Sequence, residues 1–317
     1  MGKSGAGFGP GHTSFRVLLH CTHRRTLPPT LLSNRQAMRE AWSRFLKSGD
    51  YFMNKIITGA LSGIALMAAT GAANAEVTGD IGYSINSHFV SYGLDVWGGG
   101  GDFFGDRSTS FIYGDVYVPL TPELTWSVNA WTDVNSNVPS AIGGSLQELD
   151  IGTGFTYNFG AVTAGIAYGA WVYAGDVEEI IDFSLAFNDS GWIIPDFAFN
   201  PKIVWHYRAS GNGAQTVGSA VVMSVAPGFD LGSGFSLGIP AGVAFFTTDT
   251  FQGGTEGGFV YAYFGSSLGI PLSFVPESFG AWSANFDLIA YFTNSTAIPG
   301  NPEADFVTGS FNIKLAF

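Results

Sequence analysis

The last nine residues alternate without a break: Phe311, Ile313, Leu315 and Phe317 fall on one side, and Ser310, Asn312, Lys314 and Ala316 on the other. A period of two predicts a strand with one greasy and one polar face. The same period recurs upstream. Val77, Gly79, Ile81, Tyr83 and Ile85 share a phase inside a run that reaches Asp95, and runs at 111–118 and 124–133 flank a Pro-rich turn at 119–123. Leu149, Ile151, Thr153, Phe155 and Tyr157 alternate with Glu148, Asp150, Gly152, Gly154 and Thr156; past Gly160 the alternation resumes as Val162, Ala164, Ile166, Tyr168, Ala170 and Val172. Ile181, Phe183 and Leu185 oppose Asp182 and Ser184, and Ile203, Trp205 and Tyr207 oppose Lys202, Val204, His206 and Arg208. With runs at 217–225, 235–245, 259–268, 282–292 and 306–317 the count is twelve, and ten or fourteen are compatible with the run boundaries. No segment from 76 onward keeps helical spacing, so the fold class is all-β.

Ahead of these runs the pattern is different. Lys55 introduces an apolar stretch from Ile56 to Thr70 that closes on Ala73-Asn74-Ala75, the three parts of a secretory leader, with cleavage expected after Ala75. The stretch is shorter than the ~20 apolar residues of a spanning helix. Residues 1–52 hold eight of the thirteen Lys and Arg, three of the five His and Cys21, without clean periodicity. They read as an upstream extension produced by an early start codon, which divides the chain into 1–52, a signal peptide at 53–75 and a β domain at 76–317.

Charge changes the picture once the leader is set aside. Four bases (Arg107, Lys202, Arg208, Lys314) against 23 Asp and Glu leave −19 on residues 76–317. Phosphate recognition rests on Lys and Arg, so nucleic acid is excluded as a partner and cations are favoured. Aromatic content of 15% with only 12% charged residues is hard to bury in a soluble sandwich, whereas a membrane barrel turns the same faces to lipid. Tyr92, Trp97, Tyr117, Trp126, Tyr157, Trp171, Tyr173, Trp205, Tyr207 and Trp282, near run ends, are expected in interfacial girdles.

The closing strand, with Phe311, Ile313 and Leu315 leading to the terminal Phe317, resembles the C-terminal assembly signal of bacterial outer-membrane β-barrels, and 53–317 as a whole resembles the porin-like class. The resemblance implies a transmembrane antiparallel up-and-down barrel in the outer membrane, surrounded by lipid and lipopolysaccharide and inserted by periplasmic chaperones and the barrel-assembly machinery. It implies passage of small hydrophilic solutes, and leaves monomer and trimer both open. A narrower likeness is to TorF-like porins: Ser87-His88-Phe89-Val90-Ser91-Tyr92-Gly93 is similar to their early strand, with Tyr92-Gly93 where Arg-Gly is usual.

With the apolar phase toward lipid, the other phase places Asp133, Glu148, Asp150, Asp182, Asp287, Lys202, His206, Arg208 and Lys314 on the lumen wall, acids in excess. They would line a weakly cation-preferring pathway, or form ion pairs that fill a narrow interior. A closed structural or adhesion barrel and a lipid-modifying enzyme are the alternatives. For catalysis Ser87-His88 invites a Ser/His reading, but the Ser-Asn-Gly that follows the His in outer-membrane phospholipases is Phe89-Val90-Ser91 here, so no catalytic residue is assigned. Gly98–Gly101 lacks the Lys-Ser/Thr of a phosphate loop, and Asp102 and Asp106 lack EF-hand spacing, so neither a cofactor nor a metal is expected.

Overall fold

The computed structural model describes residues 76–191, 197–212 and 215–317. The segment 1–52, the leader and the cleavage site at Ala73 and Ala75 lie outside the described residues. The strands in order are β1 (Thr78–Asn86), β2 (Val90–Ser91), β3 (Leu94–Asp95), β4 (Thr109–Pro119), β5 (Leu124–Val134), β6 (Leu146–Asn158), β7 (Val162–Tyr173) and β8 (Asp176–Phe187). They continue with β9 (Lys202–Ser210), β10 (Gly218–Val225), β11 (Gly228–Gly232), β12 (Phe235–Gly238), β13 (Ala241–Phe246), β14 (Gly258–Pro271), β15 (Ala281–Thr293) and β16 (Asp305–Ala316). Among the described residues the only helical element is a 3-10 turn at Glu277–Phe279.

Twelve strands close a ring, each antiparallel to both neighbours: β1, β4 to β10, β13 to β16, and back to β1. At the closing seam Ile85 lies opposite Phe311, Tyr83 opposite Ile313 and Ile81 opposite Leu315. Phe317 donates to and accepts from Gly79 at 3.0 and 2.9 Å, so the terminal residue is stitched into the seam. Closure leaves the twelve strands of the ring without a free edge, the condition for a sheet to sit in hydrocarbon.

Alternation turns sequence into two surfaces. Ile81, Ile85, Ile112, Val116, Phe155, Ile166, Phe183, Leu185, Phe286 and Leu288 stand exposed on the outside. Ser84, Asn86, Asp133, Glu148 and His206, on the opposite phase, are buried inside. A slip of one residue in any pairing would exchange the faces, so the apolar stripe also fixes register.

Two runs depart from expectation. The run 77–95 is one strand only as far as Asn86; there the chain turns into the barrel, and β2 and β3 form a small separate hairpin around Tyr92 and Gly93, both at positive φ (47° and 80°). The run 235–245 is broken at Ile239-Pro240 into β12 and β13, because proline has no N–H for the ladder. β11, absent from the sequence reading, pairs with β12 in a hairpin that prolongs the sheet. Residues 120–123, 159–161 and 233–234 make tight turns at the end bearing Thr78 and Phe317. Residues 87–108, 135–145, 247–257 and 294–304 are long connections at the other end.

Candidate functional site

Three of the long connections fold into the barrel. Phe251, Ala297 and Ile298, from 247–257 and 294–304, have no exposed surface and pack with Phe246, Val260 and Tyr261 of the wall, against Tyr92 and Leu94 of the β2–β3 hairpin. Side-chain amides bind the loops together: Gln252 Nε2 donates to the Ser91 carbonyl (2.8 Å), Asn301 Nδ2 to the Gly93 carbonyl (2.8 Å), and the Asp95 amide to Asn301 Oδ1 (2.8 Å). Gly93 is required where it stands, since a Cβ would press on the Tyr261 ring at 2.6 Å. The interior at the long-loop end is therefore a packed plug.

Charged wall residues clamp this plug. On β9, Arg208 donates from Nε to Glu178 Oε1 of β8 (2.6 Å) and through a terminal guanidinium nitrogen to the Phe251 carbonyl (2.5 Å), while its guanidinium lies 3.9 Å from the Phe251 ring centre. Tyr173 donates to the second Glu178 oxygen at 2.5 Å. Two residues earlier on β9, His206 Nδ1 lies 2.7 Å from Asp182 Oδ1 and 2.5 Å from the Tyr92 hydroxyl, with the Tyr92 and His206 rings 4.1 Å apart. Each clamp holds one plug loop to one acid on β8. Glu178 and Arg208 are buried together, so neither charge has water to fall back on.

The remaining expected wall residues spread along the lumen. Asp133, without exposed surface, accepts from Trp97 Nε1 (2.8 Å) and from Asn135 and Thr109. Glu148 and Asp150 are neighbours on one face of β6. Toward the other end, Asp287 accepts from Ser310 (2.7 Å) and Lys314 lies 4.0 Å from Asp80. Lys202 is exposed at the start of β9. The structure thus brings Asp182, His206 and Arg208 to the plug, and leaves Asp287, Lys202 and Lys314 apart from it.

Several residues of the site escaped the sequence pattern. Tyr92, Trp97, Trp171 and Tyr173, assigned to interfacial girdles, do not face lipid: Tyr92 and Trp97 belong to the infolded loop, Trp171 stacks on Tyr92 and His206, and Tyr173 binds Glu178. The correction has a simple cause, because Trp171 and Tyr173 sit on the phase opposite Val162–Val172 and so point inward. Glu178 lies outside the alternating run that begins at Ile181. Phe251 and Asn301, in loops, carry no period at all.

Ser87, His88 and Asp95 do assemble. Ser87 Oγ lies 2.8 Å from His88 Nδ1, and His88 Nε2 lies 3.0 Å from the Gly100 carbonyl and 3.9 Å from Asp95 Oδ2. Yet Ser87 has no exposed surface, and its Oγ accepts the Gly309 amide at 2.8 Å. The group fastens the infolded loop to β16 and presents no accessible hydroxyl. Burial pushes the Asp95 carboxyl above the ordinary range, against the pull of the Gly100 amide and His88.

A closed twelve-strand antiparallel ring, apolar outside and polar inside, is the architecture of a transmembrane β-barrel. Among solved structures the chain is similar to the NanC porin, with a TM-score of 0.43 at 8% identity over 76% of this chain and 99% of that one. It is also similar to the COG4313 outer membrane channel from Pseudomonas putida F1 (0.42, 10% identity, 76% and 95% covered) and to LpxR from Salmonella typhimurium (0.41, 11% identity, 74% and 99% covered). All lie below 0.5, so the barrel assignment stands on the chain's own strand ladder. No protein-family model matches, and no curated protein matches. The segment 87–93 that resembles TorF-like porins leads from β1 into the plug hairpin.

Proposed function

We propose that this chain is an outer-membrane channel for small hydrophilic solutes, weakly preferring cations, whose long-loop end is gated by its own infolded loops. The observation that carries the reading is the inner wall of the closed ring. Asp80, Asp115, Asp133, Glu148, Asp150, Glu178, Asp182 and Asp287 lie on its inward phase, against Lys202, Arg208 and Lys314. Such a wall concentrates cations and repels anions in a confined aqueous path. Export through the leader at 53–75 and insertion through the β16 signal belong to the same proposal.

The plug favours one competing reading, a closed structural barrel. Planar-bilayer recording on refolded protein separates the two, provided a plug-loosened variant is recorded beside the native chain. Conductance steps in both, more frequent in the variant, support the gated channel. Silence in both, with folded barrel verified, overturns it and leaves the structural barrel. A lipid-modifying activity has no support from Ser87 and His88, which are enclosed.

A further inference from the structure

On the inner wall of β4 to β8 lies a cavity of about 340 Å3, within the ~300–1,000 Å3 of small-molecule sites. Its floor follows from missing side chains: Gly152 of β6 faces Gly169 of β7 in register, and the next rung pairs Gly154 with Ala167. A Cβ on Gly152 would collide with the Asn129 amide, and one on Gly169 would sit 2.8 Å from Ile180. The strands are thus pared to backbone where the hollow needs depth.

The rim is aromatic and acidic. Trp131, Asp150 and Trp171 stand side by side on β5, β6 and β7, so one carboxyl is flanked by two indoles, with Tyr113 next in the row. One rung along, Asp115 pairs with Asn129; a rung further, Asp182 pairs with Ala167 and Ser127 pairs with Gly154. Asp150 Oδ1 has no hydrogen-bond partner. Among the described residues no Lys, Arg or His lines the hollow, and the nearest basic group to its acids is His206, 2.7 Å from Asp182. The plug closes the long-loop end above it, and among the described residues none from the turns at the opposite end belongs to the packed cluster.

The geometry points to a binding site for small organic ammonium ions in this hollow, the charge held by Asp150, Asp115 and Asp182 and the alkyl groups held against Trp131 and Trp171. Carboxylates supply the counter-charge, indole faces attract a desolvated alkylammonium, and the glycine floor admits its bulk. A neutral sugar would find the aromatic walls and could donate hydroxyl hydrogen bonds to the acids but would gain no charge attraction, and an anion would be repelled. The site deepens the channel reading by naming a solute class, but binding at equilibrium does not require conduction.

Choline and its neutral isostere 3,3-dimethylbutan-1-ol are the probes, titrated into the refolded full barrel in detergent micelles and followed by tryptophan fluorescence and calorimetry. Saturable choline binding at least tenfold tighter than the isostere is expected. Asp150→Asn combined with Asp115→Asn should weaken choline at least tenfold, and Gly152→Leu should abolish it by filling the floor, with folding of each variant checked by heat-modifiable migration. Equal affinity for the two probes, or no saturation by choline on folded protein, overturns the site. So does undiminished choline binding in folded Gly152→Leu. A barrel that binds choline and never conducts leaves this site standing while removing the channel.

Discussion

Neutralising Glu178 isolates Arg208 inside the barrel, and the structure sets the size of the effect. Both side chains are almost fully enclosed, at 1% and 2% exposure, and their bond is 2.6 Å long. Removing one partner of such a pair leaves an uncompensated buried charge, a loss of about 3–5 kcal/mol. The loss falls on the docked state of residues 247–257, because the same guanidinium holds the Phe251 carbonyl and ring. The strand ladder of the ring is made of backbone bonds that Glu178→Gln does not touch. At about 1.4 kcal/mol per factor of ten, release of the loop should become roughly a hundredfold to several thousandfold more frequent. The double variant Glu178→Leu with Arg208→Met removes both charges and keeps bulk, so it should return most of that stability, as charge-to-hydrophobe exchanges of buried pairs do. Open time in planar bilayers and hydrogen exchange at amides of 247–257 measure the release. A single variant that changes both by less than tenfold, or a double variant no better than the single, would mean that the pair is solvated. The packed plug would then be wrong.

Deleting Phe317 removes two backbone hydrogen bonds to Gly79 and the ring that lies over it, so the yield of heat-modifiable folded barrel should drop; an unchanged yield would contradict the assembly role of the terminus. Reversal potentials under a KCl gradient should favour K⁺ over Cl⁻, and changing Asp150, Asp182 and Asp287 together to Asn should lower that preference more than changing Asp102 and Asp106. Salt should weaken the preference as the screening length shrinks from ~10 Å at 0.1 M to ~3 Å at 1 M. Burial raises the Asp95 carboxyl in the docked hairpin, so the docked state binds a proton more tightly than the released one. Its contribution is present at acid pH and is lost as pH rises through the raised value, so hydrogen exchange at 90–100 should speed up over that interval, and Asp95→Asn should flatten the dependence. Intact mass of the outer-membrane form should correspond to a chain beginning at Glu76, and any peptide from 1–52 in that form would refute the cleavage assignment.

What alternation reveals and what it hides have one physical origin. A strand between lipid and an aqueous lumen meets a different solvent every second residue, so Phe311, Ile313 and Leu315, or Ile181, Phe183 and Leu185, report their surroundings directly, and the twelve-strand ring follows from that report. A loop folded into the lumen meets protein on every side. Tyr92, Leu94, Phe251 and Ile298 therefore share no period, and nothing local distinguishes them from the residues of a solvated loop. Aromatic residues at strand ends mislead for a related reason: a tryptophan is equally at home in an interface and in a packed plug, and only its phase decides. That phase was legible for Trp171, one residue out of step with Val172, and it turns the ring from a girdle position to the wall beside Asp150. The charges carry the same lesson further. Alternation alone puts Asp182, His206 and Arg208 on the inner wall, but not that His206 and Arg208 are consumed in clamping the plug. With Arg208 bound to Glu178 and His206 bound to Asp182 and Tyr92, no further basic side chain lines the hollow below among the described residues, and it is this asymmetry, visible only once the loops are folded in, that favours a cation as its occupant.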